Sequence, residues 1–339
     1  MEEKPLKQQF TARLQPGERV DDYFVACEPA LRSFRNGGGR SGSFLKLTLR
    51  DREGSLPAVL WEGAEAVYPR LRGNPVVKVR GSVGTYQGEL QVVVEALEPA
   101  REELDPGNFL PSSPRPRPEM EKELAACLAA IENEPLRWLL SAFFADPAFY
   151  NAFARAPAAK NIHHAYIGGL LEHTLETVYF ARAIAQRYPE YINRDLLLTG
   201  ALLHDCGKVE EYRVEGLGFT LTAAGRLFGH LVLGARMVEE RLAPRNDFPA
   251  ALKEELLHVI LAHHGSQEWG SPQPPKTITA FALHHADFLS AELNHFQGVL
   301  QAGVNEEGWT AADRKLERSV YLGFLAPDEV AAARERGGR

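Results

Sequence analysis

The chain reads as a multidomain α+β protein, a small five-stranded β-barrel followed by an all-α domain. Three observations carry that reading. The first hundred residues hold five short runs of alternating apolar and polar residues separated by turn-forming clusters. A proline-rich break follows. Beyond it apolar residues recur at helical spacing, with histidines and aspartates near the ends of the apolar runs. At 339 residues the chain can bury two separate cores.

Residues 20–27 alternate loosely and form the first expected strand. Gly37, Gly38, Gly39 and Gly42 then give a tight loop, which lacks the Gly-Lys-Ser/Thr of a phosphate loop. Residues 44–50 alternate cleanly, 51–54 turn, and 56–61 return, so three strands form a meander. Residues 64–71 spell a short helix, and 76–83 and 90–95 give the last two strands around a turn at Tyr86 to Gly88. Five strands with a helix between the third and fourth outline an OB-fold barrel. Such barrels grip single strands with aromatic rings and basic side chains. The aromatic candidates are Phe44, Trp61 and Tyr86, although Phe44 and Trp61 could instead fill the barrel core. The basic candidates are Arg32, Arg35, Arg40 and Lys46, in a cluster that runs on through Arg50 and Arg52.

Charge supports this division. The whole chain carries −7, yet residues 1–100 hold 14 Lys/Arg against 13 Asp/Glu, a net +1, leaving −8 for the rest. No apolar run approaches the ~20 residues of a membrane span, and the opening Met1-Glu-Glu-Lys4 is no secretory signal. A cytoplasmic protein without membrane contact is expected. Cys27, Cys127 and Cys206 are three in number and far apart, which argues against a disulfide framework and against a Cys-x-x-Cys zinc site. Composition leaves a homo-oligomer open.

The expected boundaries are a barrel domain at 1–105, an extended proline-rich linker at 106–118, a helical domain at 119–325 and a C-terminal tail at 326–339. Within the helical domain, 119–140 and 147–156 are helical in pattern, and His173 lies near the apolar face of the next helix. Residues 196–203 form an apolar core helix that ends in His204-Asp205, with Gly207 as its C-cap. Residues 213–221 are a loop or small hairpin, and His230 opens a helix running through Met237 and Val238. His263 and His264 close a helix with Leu256 and Ile260, and Gly265 stops it. Asp287 lies in the apolar run 278–289. An imidazole beside a carboxylate makes a mixed nitrogen and oxygen donor set suited to Mn, Fe, Co, Ni or Zn. A lone His-Asp pair is weak evidence, and its company carries the case. Adjacent residues on a helix point about 100° apart, so one or both of His263 and His264 reach the metal. His163 and His164 are caps or substrate contacts. Lys208 solvates a helix end or meets a phosphate. Cys206 is a buried filler.

The ordered set His173, His204-Asp205, His230, His263-His264 and Asp287 resembles the HD-domain phosphohydrolases, all-helical metalloenzymes named for the central pair. The finer motifs His163-His-Ala-Tyr-Ile-Gly-Gly-Leu-Leu-Glu-His173-Thr, Gly225-Arg-Leu-Phe-Gly-His230 and His263-His-Gly-Ser-Gln-Glu-Trp-Gly-Ser-Pro272 resemble those of YhaM-type 3′–5′ exoribonucleases, which join an OB domain to an HD domain. Ala224 departs from the acidic residue of that pattern, at a position that is not a ligand. The resemblance implies hydrolysis of single-stranded RNA, or DNA, to nucleoside 5′-monophosphates by a metal-activated water. Asp205 would be catalytic, bridging one or two divalent cations, and Lys208 would meet a phosphate. His/Asp ligation favours Mn²⁺ or Fe²⁺ over Mg²⁺, with Co²⁺, Ni²⁺ and Zn²⁺ also fitting. The alternative is an HD phosphohydrolase of free nucleotides or cyclic dinucleotides whose barrel serves only assembly.

Overall fold

The structure, a computed structural model, describes residues 7–33, 42–71, 75–86, 88–101, 104–160, 163–215, 218–305 and 307–323. Gly37 to Gly39, Arg35, Arg40 and the tail at 326–339 lie outside the described residues. The chain divides into two compact units, with the main break between Ser112 and Ser113.

The first unit is a closed barrel. Strands β1 (Arg19–Ser33), β2 (Ser43–Asp51) and β3 (Gly54–Leu60) form the expected meander. A short helix α1 (Ala64–Val67), continued by a 3-10 turn to Leu71, leads to β4 (Val76–Tyr86) and β5 (Glu89–Pro99). Strand order is β1-β2-β3-β5-β4, with β4 returning to β1. The β3–β5 pair is parallel and the rest antiparallel, which is the OB-fold arrangement. β1 runs past the expected end at Cys27, because a bulge between Cys27 and Ala30 lets its first half pair with β4 and its second with β2. That extension carries Arg32 to a position opposite Phe44. Alternation decides the faces of β2. Leu45, Leu47 and Leu49 point into the apolar core with Phe24, Val77 and Val92, while Phe44 and Lys46 face outward.

The proline-rich segment is taken up from both ends. Phe109 is buried among Tyr23, Val25 and Cys27 of β1, and Arg52 donates to the carbonyl of Asn108. At the other end helix α2 begins at Arg117, where Pro118 suits a first turn whose amides have no partner. The extended part is therefore shorter than 106–118.

The second unit is helical: α2 (Arg117–Ala129), α3 (Glu134–Phe144), α4 (Pro147–Phe153), α5 (Gly169–Arg187), α6 (Arg194–Leu203), α7 (Lys208–Glu211), the hairpin β6 (Tyr212–Glu215) and β7 (Gly218–Leu221), then α8 (Ala223–Leu242), α9 (Ala250–Leu261) and α10 (Ile278–Gln301). The single helix expected over 119–140 is two. Asn133 caps the second, Pro135 sits in its first turn, and Asp195 of α6 accepts from the amides of Glu132 and Asn133 at the break. α6 is buried from Asp195 to Leu203, so it is the central helix, and its neighbours α5, α9 and α10 pack around it. Among the described residues no helix is long and apolar enough to cross a membrane.

Candidate metal centre

Five elements deliver ligand-type side chains to one place. α5 brings His173, the end of α6 brings His204 and Asp205, α8 brings His230, the turn after α9 brings His263 and His264, and α10 brings Asp287. His173, His204, Asp205 and His263 are almost wholly buried. Three local features explain how they meet. Gly207 is not a left-handed C-cap, for its φ of −64° and ψ of −17° are helical. Its lack of a side chain matters instead because a Cβ would sit 2.1 Å from the carbonyl oxygen of His230, so glycine alone lets the His204-Asp205 turn approach α8. His230 opens a helical segment as expected: α8, capped by Thr222, is two helices joined by a kink at Gly229 (φ 69°, ψ 161°), and His230 is the first residue of the second. His263 and His264 lie past the end of α9 at Leu261, so helical geometry does not splay them, and both reach the centre. Gly265 does stop the element, with φ at +85° and the ring of His284 where its Cβ would be.

Two groups form around Asp205. On one side His173 Nε2 lies 3.2 Å from His204 Nε2 and 2.9 Å from Asp287 Oδ1, and Asp205 Oδ2 is 3.4 and 3.3 Å from the two imidazoles. On the other, Asp205 Oδ1 is 3.4 Å from His230 Nε2 and 3.6 Å from His263 Nε2, and His230 Nε2 is 3.1 Å from His264 Nε2. These side chains could hold metal as His173, His204 and Asp287 on one side and His230, His263 and His264 on the other, with Asp205 between.

Hydrogen bonding argues that they fit a cation. The Nδ1–H of His204, His263 and His264 donates to the carbonyls of Ala201, Ile260 and Trp269 at 2.7–2.8 Å, and a carbonyl can only accept. His230 Nδ1 meets Glu211 at 3.1 Å. His173 Nδ1 donates to Ser290 Oγ at 3.0 Å, because the hydroxyl proton goes to Glu176 at 2.8 Å. Every Nε2 is thereby left with its lone pair inward, as in anchored metal-binding histidines. Bare nitrogens 3.1–3.2 Å apart repel unless a cation separates them, and the buried Oδ1 of Asp205 has no hydrogen-bond partner. The carboxylates call for positive charge at the same place. Burial opposes a proton on His173, but Asp205 and Asp287 outweigh it and lift the imidazole to about 9, a proton that a bound cation would displace from Nε2. Burial opposes charge on Asp205 too, yet Lys208, His204 and His173 hold its carboxyl well below the usual range. Burial and its neighbour His263 keep His264 near 4, so it is neutral.

Lys208 Nζ lies 2.5 Å from Asp205 Oδ2. His163 packs 6.0 Å from the His173 ring, its buried Nδ1 has no hydrogen-bond partner, and burial with the nearby Lys208 holds it neutral at about 3. His164 lies nearer, 5.3 Å from the His173 ring. It is wholly buried, takes φ of +48°, donates its amide to Asn294 Oδ1 and approaches Glu176 at 3.3 Å. Cys206, whose thiol burial raises to about 12, is no nucleophile. The sequence reading missed Ser290 and Glu211, which orient ligands on other helices, and Glu176, which holds Ser290 from the helix of His173. Only the one-turn spacing of Ser290 from Asp287 hinted at any of them.

On the barrel, Arg32, Phe44, Lys46 and Trp61 come together. Arg32 pairs with Phe44 across β1 and β2, the Phe44 and Trp61 rings lie 5.0 Å apart, and Trp61 is 44% exposed, so it is not core. Tyr86 stands apart. It pairs with Glu89 while Leu60, before Trp61, pairs with Val94, a separation of about 17 Å along β5.

An OB barrel joined to a helical domain whose His-Asp pair anchors such a cluster defines the class, an HD-domain hydrolase with a nucleic-acid-type barrel. Residues 170–292 match the HD domain family and residues 31–100 the family described as OB-fold nucleic acid binding domain. The chain is 34% identical over 286 residues to the 3′-5′ exoribonuclease YhaM of Bacillus velezensis, covering 82% of this chain and 86% of that protein. It is 32% identical to the YhaM of Bacillus subtilis (84% and 88% covered) and 32% identical to that of a Geobacillus species over 339 aligned residues (95% and 96%). The chain belongs to the YhaM family of 3′–5′ exoribonucleases.

Proposed function

We propose that this protein is a metal-dependent 3′–5′ exonuclease that hydrolyses single-stranded RNA to nucleoside 5′-monophosphates, with the barrel as the capturing unit and the helical unit as the chemical one. The single observation that carries the reading is Asp205, whose two oxygens face two separate sets of anchored imidazoles. His173, His204, Asp205 and Asp287 would hold one cation, and Asp205, His230, His263 and His264 a second. Two bound cations supply Lewis-acid charge at the phosphoryl oxygens and acidify the attacking water. Nitrogen-rich ligation favours Mn²⁺, or Fe²⁺, over Mg²⁺. Lys208, held against Asp205, sets a point charge where a non-bridging phosphate oxygen would lie. His163, which burial and Lys208 push down to about 3 and so keep neutral, stands 6.0 Å from the His173 ring as the candidate substrate contact. The cytoplasm is the compartment this substrate implies.

The relatives named as 3′-5′ exoribonucleases support direction and substrate, and the Arg32, Phe44 and Trp61 row supports strand capture over the free-nucleotide alternative. End-labelled strands test both. A 3′ label should leave at once as mononucleotide, and a 5′ label should persist in a ladder of shortening fragments, faster on RNA than on DNA of equal sequence. Cutting of a circular strand would replace the exonuclease reading with an endonuclease one.

A further inference from the structure

The turn after His264 and the outer face of α10 carry two large aromatic rings in solvent, Trp269 at 56% and Phe288 at 44% exposure. We propose that they form a stacking platform for a nucleobase beside the phosphate being cleaved, an inference that rests on the exonuclease reading above.

The turn is built rather than loose. Ser266 accepts from the amides of Trp269 and Ser271, Gln267 accepts from Gly270, and Gly270 takes φ of +99°. Trp269 gives its carbonyl to His264 Nδ1 at 2.7 Å, so one hydrogen bond links a metal-centre imidazole to the platform. Phe288 follows Asp287 in the chain, and its ring is parallel to that of Trp269 to within 1°, the centroids 5.9 Å apart. His284 braces both rings at 6.0 and 6.2 Å while its own Nδ1 donates to the carbonyl of His263 at 2.8 Å. The platform is thus tied to both histidines of the pair and adjoins the aspartate.

Its chemistry selects a base over a phosphate. Between His264 and Lys276 the chain has no Lys or Arg, and its one charge, Glu268, repels phosphate. A flat apolar face accepts any base, which suits an enzyme that must remove every nucleotide in turn. A base entering between two rings needs about 7 Å, twice the ~3.4 Å stacking rise. The observed 5.9 Å is too small, so the base packs on an outer face.

The test is a cycle of ribo-oligonucleotides and enzymes. The strands carry either a natural nucleotide or one lacking its base, placed on either side of the scissile phosphate, and kcat/KM is measured with wild type, Trp269→Ala and Trp269→Tyr. Each penalty is a ratio within one enzyme, so partial loss of metal or fold cancels. Wild type should lose about 5- to 150-fold on removal of the base at one of the two positions, the scale of one stacked base. Trp269→Ala should lose most of that penalty, and Trp269→Tyr should keep it. Equal penalties in wild type and Trp269→Ala would overturn the platform. So would equal penalties together with a changed oligomeric state, which would make this face a protein interface. If no enzyme shortens the natural strand while bis(p-nitrophenyl) phosphate is still hydrolysed, the exonuclease reading itself has failed and the platform falls with it.

Discussion

The two units use similar side chains for opposite purposes. The barrel keeps its core apolar and sets Arg32, Phe44 and Trp61 on its outer face. The helical unit instead buries its chemistry, with His173, His204, Asp205 and His263 almost wholly inside and their ring nitrogens anchored. Capture tolerates rotamer freedom, whereas phosphoryl chemistry needs ligands fixed to within a fraction of an ångström. A substitution in one unit should therefore change the rate of chemistry, and in the other the affinity for strands.

Breaking the bridge between the two ligand sets should have the largest effect. Asp205→Asn keeps the shape but removes the shared charge, and hydrolysis should fall by about 10³-fold, the scale of removing one preorganised electrostatic group. Metal content measured on the same sample should fall while strand binding by the barrel stays. A folded Asp205→Asn enzyme with normal rate and normal metal content would rule out the bridging role.

Removing the metal should separate the units in stability. Metal held at 100 times its dissociation constant contributes about 2.7 kcal/mol to the unit that binds it. Chelation should therefore speed amide hydrogen exchange in α5, α6 and α10 while β1 to β5 are unchanged. Equal acceleration in both units would mean that they unfold together.

A smaller effect is expected from the anchors behind the ligands. Ser290→Ala takes the acceptor from His173 Nδ1, and Glu176→Gln weakens the hydroxyl that holds it. Each should cost about 10- to 100-fold in metal affinity, as such outer partners do. Most of the hydrolytic rate should return at saturating metal, which a metal titration would show. A rate that stays low would assign these residues to folding rather than to ligand orientation.

The same contrast explains what could be read from the sequence. Strands such as β2 were legible because alternation is a local property, and the ordered His and Asp residues because each lies in or beside an apolar run of its own helix. Gly207 was misread because its constraint comes from the backbone of α8, some twenty residues away in sequence. Ser290 and Glu211 gave little signal because each supports a ligand on another element, and Glu176, on the helix of His173, acts only through Ser290 of α10. The break between α2 and α3 is different, since Asn133 and Pro135 announce a helix start and the apolar periodicity masked it.

The smallest effects should lie on the barrel, where they distinguish one kind of contact from another. Strand binding can be measured in an Asp205→Asn background so that nothing is degraded. Trp61→Ala removes a ring that is 44% exposed and 5.0 Å from Phe44, and should weaken binding by about 1–3 kcal/mol with an unchanged salt dependence. Arg32→Ala and Lys46→Ala should each flatten the slope of log affinity against log salt by about 0.7, the value for one lost phosphate contact on a single strand. Tyr86→Ala tests the register itself. Tyr86 is 57% exposed but pairs with Glu89 at the far end of β5, away from the row of Arg32, Phe44 and Trp61, so its loss should move neither affinity nor slope. A Tyr86→Ala enzyme that binds as poorly as Trp61→Ala would extend the strand's path along the length of β5.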